Sequence, residues 1–493
     1  MRQLVLGILI NKELRSILLS PKFAVSFGLC SVLILLSVFL GIQEYRSSVT
    51  QYQTARQLND QQLRETSGWM RLTTKAYREP SPMQIFVSGL SYDIGRFSSV
   101  NSFNPVKLTG STYSEDTIFA LFRIIDFAFI VQVVLSLFAI LFTFDAVCGE
   151  REDGTLKLVF SSAVPRAKYL IAKCAGAWLG LVVPICIPIL LSILLLFVFA
   201  VPFAAGDWLR LGSLLGVSLL YFTFFVVLGV LLSTLTRRPS ISFLFGLVSW
   251  VLAVLIIPRA SATVAGQIVR VPTVAEIEGM RDGYATNRMN SFNEEFSKNW
   301  EKWAREDHAA GSERDSASVQ DRMWTRMQVH DSARKVVQQE IEQYGERLNE
   351  TVRQKKNAQM RLALSLARVS PAADYQLAAM TLAGNDVSMK DAYEEAIGLY
   401  RTQVMDLRDR KMAEAGPGGG GGIMVSISSD KGAQISAPKP KPLDLTGFPE
   451  FIKPQITVEH ALEGTAVSFG ILLLGIILAF GGAFAAFLRY DVR

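Results

Sequence analysis

Histidine and cysteine are scarce in this chain of 493 residues, and their positions give no sign of a metal site. The sequence has three histidines and four cysteines. The histidines, His308, His330 and His460, share no metal-ligand spacing with one another or with any cysteine, which argues against a zinc site. All the cysteines lie in or beside apolar segments, so no disulfide framework is indicated.

Motifs of common catalytic sites are also missing. The chain has no G-x-x-x-x-G-K-[ST] run, so it does not cradle nucleotide phosphates in the usual P-loop manner. It has no G-x-S-x-G, no H-E-x-x-H and no recognisable frame of paired carboxylates. The glycine run at Gly418 lacks the strand, helix and lysine of a phosphate loop. We therefore predict that the chain is not an enzyme and holds no cofactor, and that any ATP it uses is bound by another subunit.

Charged residues are few as well. They make up 19% of the chain, against about 25% in an average soluble protein, while 50% of the residues are hydrophobic. This average combines long apolar runs with one polar tract, residues 259–465. An ordinary cytosolic enzyme is excluded, because a run such as Tyr169–Val201 would leave a large apolar surface in water.

Six apolar runs are predicted to cross a membrane. Most of them reach the ~20 residues that a helix needs to span about 30 Å of hydrocarbon. They are Phe23–Ile42, Ile118–Phe144, Tyr169–Val201, Trp208–Leu235, Ile241–Ile257 and Val467–Leu488. The sequence thus predicts a polytopic membrane protein.

The basic residues of the short loops predict the orientation of these spans. An even number of spans places both termini on one side, and the positive-inside rule makes that side the cytoplasm. The basic clusters that share this side are Arg2, Lys12, Arg15 and Lys22; Arg151, Lys157, Arg166 and Lys168; Arg237 and Arg238; and Arg489 and Arg493. The opposite side receives the loop of residues 43–117 and the tract of residues 258–466, and residues 489–493 form a cytoplasmic tail.

Residues 1–22, which precede the first span, have the pattern of an amphipathic helix. Leu4, Val5, Ile8 and Leu9 alternate in a helical sense with charged residues. We expect this segment to lie in the cytoplasmic interface of the membrane. A frayed cytoplasmic tail is the alternative.

The polar tract of residues 258–466 is predicted to be largely helical. Residues 275–303 and 316–366 are rich in Glu, Arg, Gln and Met and contain no proline. The second stretch has apolar residues that step by four and three, as in a long helix or helical hairpin: Val337, Ile341, Tyr344, Leu348 and Val352. Ser370 and Pro371 end it.

A further helix is predicted after Gly384 and Asn385. Ser388 and Asp391 would form its capping box, and its apolar face would carry Tyr393, Ile397, Tyr400, Val404 and Leu407. Residues 416–422 are glycine-rich and predict a flexible linker or mobile loop.

The remaining outer residues predict a small β portion. Val425, Ile427 and Ile435 with small polar spacers indicate a strand or two. The loop of residues 43–117 carries scattered aromatic residues, and we expect them to bury against the outer helices so that the two outer segments form one domain. These residues are Trp69, Tyr77, Phe86, Tyr92 and Phe97. The predicted fold is mainly α, with six transmembrane helices, an N-terminal interfacial helix and a largely helical extracytoplasmic domain.

The connection between the second and third spans, residues 145–168, is the most informative stretch. Charged residues come first, Gly154 then breaks the chain, and Thr155 can cap a short helix. Leu156, Val159 and Phe160 share one face of that helix. A short amphipathic helix held between two membrane helices is suited to docking in a groove of a partner. A solvated loop is the alternative.

This stretch resembles a motif of the ABC-2 type permeases. The family pattern E-R-E-x-G-T-L, S-x-P-x-x-R and a downstream Lys is similar to Glu150-Arg151-Glu152-Asp153-Gly154-Thr155-Leu156 followed by Ser161, Ser162, Pro165, Arg166 and Lys173. The ending Phe487–Arg493 resembles that of the branch with a large extracytoplasmic insertion, similar to the gliding-machinery and copper-enzyme-maturation permeases. The resemblance covers nearly the whole chain.

The resemblance implies a six-span half-transporter in a bacterial plasma (inner) membrane. It would pair with itself or with a sister permease and be driven by two cytoplasmic ABC ATPase subunits, which bind the ATP and Mg²⁺. No nucleic acid is implied, and membrane lipid surrounds the spans. By the same resemblance, the ATPase-coupling region comprises Glu150, Arg151, Gly154, Thr155 and Leu156.

Two ionisable residues, Arg123 and Asp126, lie one helical turn apart near the outer end of the second span. Charged residues inside a span are costly and often line a pathway or a subunit contact. The alternative is that they sit just outside the hydrocarbon and pair locally.

Three functions follow from these patterns. The first is an ABC exporter permease that uses ATP hydrolysis by its partner for export or extrusion across the plasma membrane. The second is a mechanotransmission subunit that drives a periplasmic partner without moving a substrate, which the size of the outer tract favours. The third is a non-transporting membrane anchor.

Overall fold

The computed structural model describes residues 2–101, 106–112, 125–162, 164–309, 316–415, 424–428, 432–436, 443–454 and 457–489. Within these ranges, six helices are long and apolar enough to cross a membrane. They are Pro21–Glu65, Phe127–Glu152, Arg166–Val198, Ala205–Leu235, Pro239–Ile268 and Val458–Leu488. The prediction of a mainly α, polytopic membrane protein is confirmed.

The helices and strands are numbered in chain order. The first half comprises α1 (Arg2–Leu18), α2 (Pro21–Glu65), β1 (Thr74–Tyr77), β2 (Phe97–Val100), α3 (Phe127–Phe129), α4 (Ser136–Thr143), α5 (Cys148–Glu152), α6 (Thr155–Ser161), α7 (Arg166–Val198) and α8 (Ala205–Leu235). The second half comprises α9 (Pro239–Trp250), α10 (Ile257–Ile268), α11 (Val274–Ala309), α12 (Ser316–Ala367), α13 (Pro371–Ala383), α14 (Val387–Ala415), β3 (Met424–Ser428), β4 (Gly432–Ser436) and α15 (Val458–Leu488).

The first membrane helix, α2, is much longer than the apolar run that predicts it. Ser20 caps its start by accepting the Phe23 N–H at 3.2 Å, and Pro21 occupies its first turn. No glycine or proline interrupts residues 43–65, so the helix continues through them. At 1.5 Å per residue this polar extension adds about 35 Å beyond Ile42.

Two of the spans contain a turn of π-helix. Residues Ile130–Leu135 separate α3 from α4, and Val251–Ile256 separate α9 from α10. The indole nitrogen of Trp250 donates to the Ser136 hydroxyl at 2.8 Å, which joins the two spans beside these turns. The predicted start of the second span at Ile118 lies outside the described residues.

A short helix that the sequence assigned to the outer tract packs instead against the membrane helices. Helix α13 lies against α8 and α15, and most of its side chains are buried, Tyr375 completely. The Tyr375 ring stacks on Tyr221, in the middle of α8, with ring centroids 4.6 Å apart. Ser370 caps α13 by accepting the Ala372 N–H at 3.1 Å. The alanines of α13 allow this close packing.

The loop after the first span and the chain after α14 share a second core. Strands β1 and β2 pair antiparallel from Thr74 opposite Val100 to Tyr77 opposite Phe97. The segments that flank these strands pack on one face of α14. They contribute Leu63, Trp69, Leu72 and Ile94, and α14 contributes Met389, Tyr393, Ile397, Tyr400 and Val404. The cap of α14 differs from the prediction, because the Asp386 carboxylate accepts the Met389 N–H at 3.1 Å and Ser388 lies inside the helix.

Residues Ile257–Val369 form a separate compact unit of α10, α11 and α12. The two long helices pair along their length: the rings of Tyr284 and Tyr344 stack at 4.0 Å, and Arg288 Nε lies 2.7 Å from Glu340 Oε2. The loop of residues 43–117 was expected to form one domain with the whole outer tract. For residues 257–369 this expectation was wrong, because the loop belongs to the other unit, which contains residues 1–256 and 370–493.

The glycine-rich residues 416–422 lie outside the described residues. After them, β3 and β4 form an antiparallel pair from Met424 opposite Ser436 to Ser428 opposite Gly432. This pair is the predicted small β portion of the C-terminal tract.

Gly229 in α8 tests the packing of the bundle. A Cβ at this position would collide with the Thr143 side chain, whereas one at Gly212 in the same helix would meet nothing within 4 Å. We expect Gly229→Val to cost about 1–3 kcal/mol through overpacking and to lower the apparent melting temperature in detergent, measured by fluorescence-detected size exclusion. Gly212→Val is the control. Equal melting temperatures for the two variants would contradict this packing.

Candidate coupling site

The connection after the second span folds into two short helices, α5 and α6, joined at a left-handed residue. Gly154 has φ +72°, a conformation that residues with a side chain rarely adopt. A Cβ at Gly154 would meet nothing within 4 Å. The requirement for glycine here is therefore conformational rather than steric.

The sequence predicted that Thr155 caps α6, and this prediction is wrong. The N-cap position is Gly154, and Thr155 is the first residue of the helix. Its hydroxyl donates to the Glu150 carbonyl oxygen at 3.1 Å, so it closes the turn between the two helices.

Glu150 is the centre of a compact cluster of charges. Its carboxylate accepts hydrogen bonds from Lys12 Nζ at 2.6 Å, from Lys173 Nζ at 2.9 Å and from the Tyr169 hydroxyl at 2.6 Å. Lys173 Nζ also lies 2.6 Å from Glu13 Oε1. Two carboxylates and two ammonium groups thus tie α1, α5 and α7 together with no net charge.

The burial of Lys173 makes the ion pairs of this cluster important for stability. Lys173 is only 4% exposed, and a buried ammonium is tolerated only when carboxylates compensate its charge. Helix α1 reaches this position because α7 presents glycines to it: a Cβ at Gly176 would lie 2.5 Å from the Glu13 Cβ, and one at Gly180 would lie 3.5 Å from Ile17. The predicted amphipathic N-terminal segment therefore packs directly against the third span.

An apolar cluster holds α6 from the other side. Leu156 is 2% exposed, and the rings of Phe160, Tyr169 and Phe487 contact one another with centroids 5.3 to 5.8 Å apart. Arg166 Nη1 donates to the Leu488 carbonyl oxygen at 2.6 Å and so caps the last membrane helix. The connection is thereby fixed to the start of α7 and to the end of α15.

The opposite face of α6 is open. Leu158 is 72% exposed, and the exposed residues Lys157, Ser161 and Ser162 surround it. A short helix held between two membrane helices is suited to docking in a groove of a partner, and Leu158 is the apolar residue that such a contact would cover. We call Lys157, Leu158, Ser161 and Ser162 the exposed face of α6.

The structure brings only part of the predicted set together. Glu150, Thr155 and Leu156 lie in the interlocked α5–α6 region, and Arg151 is half-buried beside them. Asp126 lies at the far end of the second span, where it accepts the Phe129 N–H and the Ser88 N–H, each at 2.8 Å. It thus caps the start of α3 and also holds the loop at Ser88, and Arg123 lies outside the described residues.

Glu13 and Tyr169 belong to this site but were not predicted from the sequence. A signal for Glu13 was present, since Ile10, Glu13 and Ile17 are spaced for one helix face and a lone carboxylate in such a row requires a partner. Tyr169 had no signal, because it reads as the first apolar residue of the third span. Among the described residues, no group of three or more His, Cys, Asp or Glu could hold a metal ion.

The comparison with protein families now decides the classification. The model of the ABC-2 family transporter protein matches residues 8–492. The chain belongs to the ABC-2 transporter family. No curated protein matches it. Membership makes this protein a multi-pass permease of an ABC transporter, in a family whose members are typically non-enzymatic membrane subunits with an ABC ATPase as partner.

Lys173→Met tests the charge cluster of this ABC-2 permease. The variant leaves Glu13 and Glu150 facing each other without the buried ammonium, which costs about 3–5 kcal/mol by analogy with broken buried ion pairs. We expect a clear drop in apparent melting temperature in detergent. The exposed Lys157→Met serves as control.

A double variant separates charge from packing. Glu13→Gln added to Lys173→Met leaves Lys12 paired with Glu150, so the melting temperature should recover in part. A Lys173→Met variant no less stable than the control would show that the cluster does not hold these helices. A destabilised Lys173→Met variant that Glu13→Gln does not restore would assign the loss to packing instead of charge.

Proposed function

We propose that this chain is the permease subunit of an ABC exporter that couples ATP hydrolysis by a separate cytoplasmic ATPase to export or extrusion across a bacterial plasma membrane. The observation that carries the proposal is the exposed face of α6, whose back is locked into the membrane helices. An ATPase that pushes on Leu158 pushes on a rigid unit. Glu150, Arg151, Gly154, Thr155 and Leu156 then serve coupling by shaping this unit.

A movement of the ATPase against α6 would be transmitted to three helices, α1, α7 and α15. Movement of α6 displaces the Phe160, Tyr169 and Phe487 rings and with them the start of α7 and the end of α15. The ion pairs between Glu150, Lys12, Lys173 and Glu13 transmit the same displacement to α1. Because these contacts are buried and the charges are compensated, relative sliding of the elements would expose apolar surface or unpaired charge, and both are costly.

The orientation of the chain belongs to the same proposal. The exposed face of α6, both termini and the basic clusters would face the cytoplasm, and the polar extension of α2 and helices α11 and α12 would face outward. Two ATPase copies, which bind ATP and Mg²⁺, act on a pair of permease protomers, either identical or sister chains.

Leu158→Asp is the sharpest test of coupling. The substitution puts a charge on an exposed position, so the permease should fold and insert normally while losing the ATPase. The tagged chain is purified from mild detergent, and the recovered ATPase is identified by mass spectrometry and assayed for hydrolysis. We expect at least a tenfold loss of recovered activity, as about 1.4 kcal/mol of lost binding implies.

Val336→Asp is the matched control for this experiment, because Val336 is an exposed apolar residue of the separate helical unit, 53% exposed. It should recover the ATPase like the wild type. A wild-type chain that is recovered without any P-loop ATPase would favour the membrane anchor. Retention of full activity by Leu158→Asp would remove the exposed face of α6 from the proposal.

A second function, mechanical transmission to a periplasmic partner, is favoured by the length of the helical unit. Helices α11 and α12 have 36 and 52 residues, which correspond to about 54 and 78 Å at 1.5 Å per residue. Two long paired helices of this kind are suited to transmitting force to a partner without a path for a substrate.

Spin-label distances test this second function. Labels at Thr54→Cys and Val336→Cys, both exposed, report on α2 and on the helical unit in a background without the native cysteines. Transmission predicts that the distance distribution changes between the nucleotide-free and vanadate-trapped complex, and that Leu158→Asp abolishes the change. An unchanged distribution in an actively hydrolysing complex would contradict transmission through this unit.

A further inference from the structure

A cavity of about 310 Å³ opens beside the polar extension of α2. Its walls come from α2, from the ends of the β1–β2 pair and from the turns around Gln84 and Ser91. Its lining includes Tyr52, Ala55, Arg78, Gln84, Ser91 and Arg96. The volume suits a small molecule rather than a peptide.

Two arginines line this cavity, and no Asp or Glu accompanies them among its described lining residues. Arg78 Nη2 donates to the Ser91 carbonyl oxygen at 2.6 Å, whereas its Nε is buried and lacks a hydrogen-bond partner in the described part of the chain. Arg96 donates to Gln51 Oε1 at 3.0 Å and to Thr112 Oγ1 at 2.7 Å. Within the described residues, the hydrogen-bond acceptors of both arginines are therefore neutral.

Further donors at the cavity wall are also unsatisfied. Gln84 Nε2 and Ser91 Oγ are buried and have no partner within the described ranges. Arg78, Gln84 and Ser91, which all line the cavity, thus each carry a buried polar atom without a hydrogen-bond partner in the described part of the chain. Native proteins rarely leave buried polar groups unpaired, and a cluster of them indicates a missing ligand, ion or water.

The positive charge cannot be relieved by losing a proton. Burial lowers the pKa of Arg78, and the neighbouring Arg96 lowers it further, yet a guanidinium remains charged in proteins. Burial also raises the pKa of Tyr393, the nearby phenol, to about 12, so this group supplies no negative charge near neutral pH. An anion from solution would offset the cost of the buried guanidinium.

Four aromatic residues form part of the remaining wall. Tyr52, Tyr77, Tyr92 and Phe97 line the same cavity, and the rings of Tyr77 and Phe97 lie 5.8 Å apart. Aromatic walls favour a flat or apolar group next to the oxyanion.

The position along α2 favours a water-soluble ligand over a lipid headgroup. Ser48 and Ala55, which bound the α2 wall, lie about 9 and 20 Å past Ile42 along the helix at 1.5 Å per residue. This part of the helix is polar and lies beyond the apolar run.

We propose that this cavity binds a small soluble organic anion, with its carboxylate or phosphate on Arg78, Gln84 and Ser91 and its ring against the tyrosines. The site does not depend on the coupling role of α6, and its test needs no ATPase.

The experiment titrates the purified full-length chain in nanodiscs by isothermal calorimetry. The probes are benzoate and phenyl phosphate, with benzamide as the uncharged counterpart. We expect saturable binding of at least one anion and none of benzamide. A parallel titration compares nanodiscs with and without phosphatidylglycerol: weaker binding with the anionic lipid, through direct competition, would assign the site to a headgroup and overturn the soluble ligand.

Two kinds of variant locate the site. Arg78→Met should weaken anion binding at least about tenfold, since a charge-assisted hydrogen bond is lost, whereas Arg71→Met, an exposed arginine outside the cavity, should bind normally. Ala55→Trp should fill the cavity with both arginines intact and abolish binding, whereas Thr54→Trp, on the exposed side of the same helix, should not. The absence of binding to the wild type, or wild-type affinity in both Arg78→Met and Ala55→Trp, would overturn the proposal.

Discussion

The buried ammonium group of Lys173 sets the constraint on which the rest of the candidate site depends. It lies in the third span, 4% exposed, and two carboxylates from different segments must reach it, Glu13 and Glu150. Glu13 can approach because α7 has a glycine, Gly176, where a Cβ would lie 2.5 Å from the Glu13 Cβ, and Glu150 comes from α5, just before the turn at Gly154. Charge compensation therefore fixes the interfacial helix, the connection and the span as one unit, and this unit leaves Leu158 on the outside.

Two kinds of close packing complement this electrostatic constraint. Small residues let helices approach, as the alanines of α13 do against α8 and α15. Aromatic rings fill the remaining space, as Tyr221 and Tyr375 do at 4.6 Å. In an apolar solvent the hydrophobic effect between helices is weak, so such contacts and the hydrogen bonds beside them carry much of the stability. The π-turns at residues 130–135 and 251–256 occur where α13 contacts the second and fifth spans.

Among the described residues, the buried ammonium of Lys173 and the buried Nε of Arg78 have contrasting partners. Lys173 has both of its carboxylate partners within the protein, which suits a permanent structural joint. Arg78 lies beside a second arginine and hydrogen-bonds to a neutral carbonyl, which suits a site completed from outside. The difference follows from what surrounds each group: acidic side chains from α1 and α5 in the first case, tyrosines and amides in the second.

The sequence by itself determined the features that depend on neighbours along the chain. Apolar runs of sufficient length specify the six spans, the spacing of Val337 and Val352 specifies a long helix, and the charged motif with Gly154 marks the connection, since each signal is contained in a few consecutive turns. Only the tertiary structure decided that Glu13 meets Lys173 across 160 residues, that α13 is buried among the spans, and that the outer tract divides into separate parts. These outcomes depend on which distant segments share a core and which charges they must compensate, and no local pattern encodes that choice.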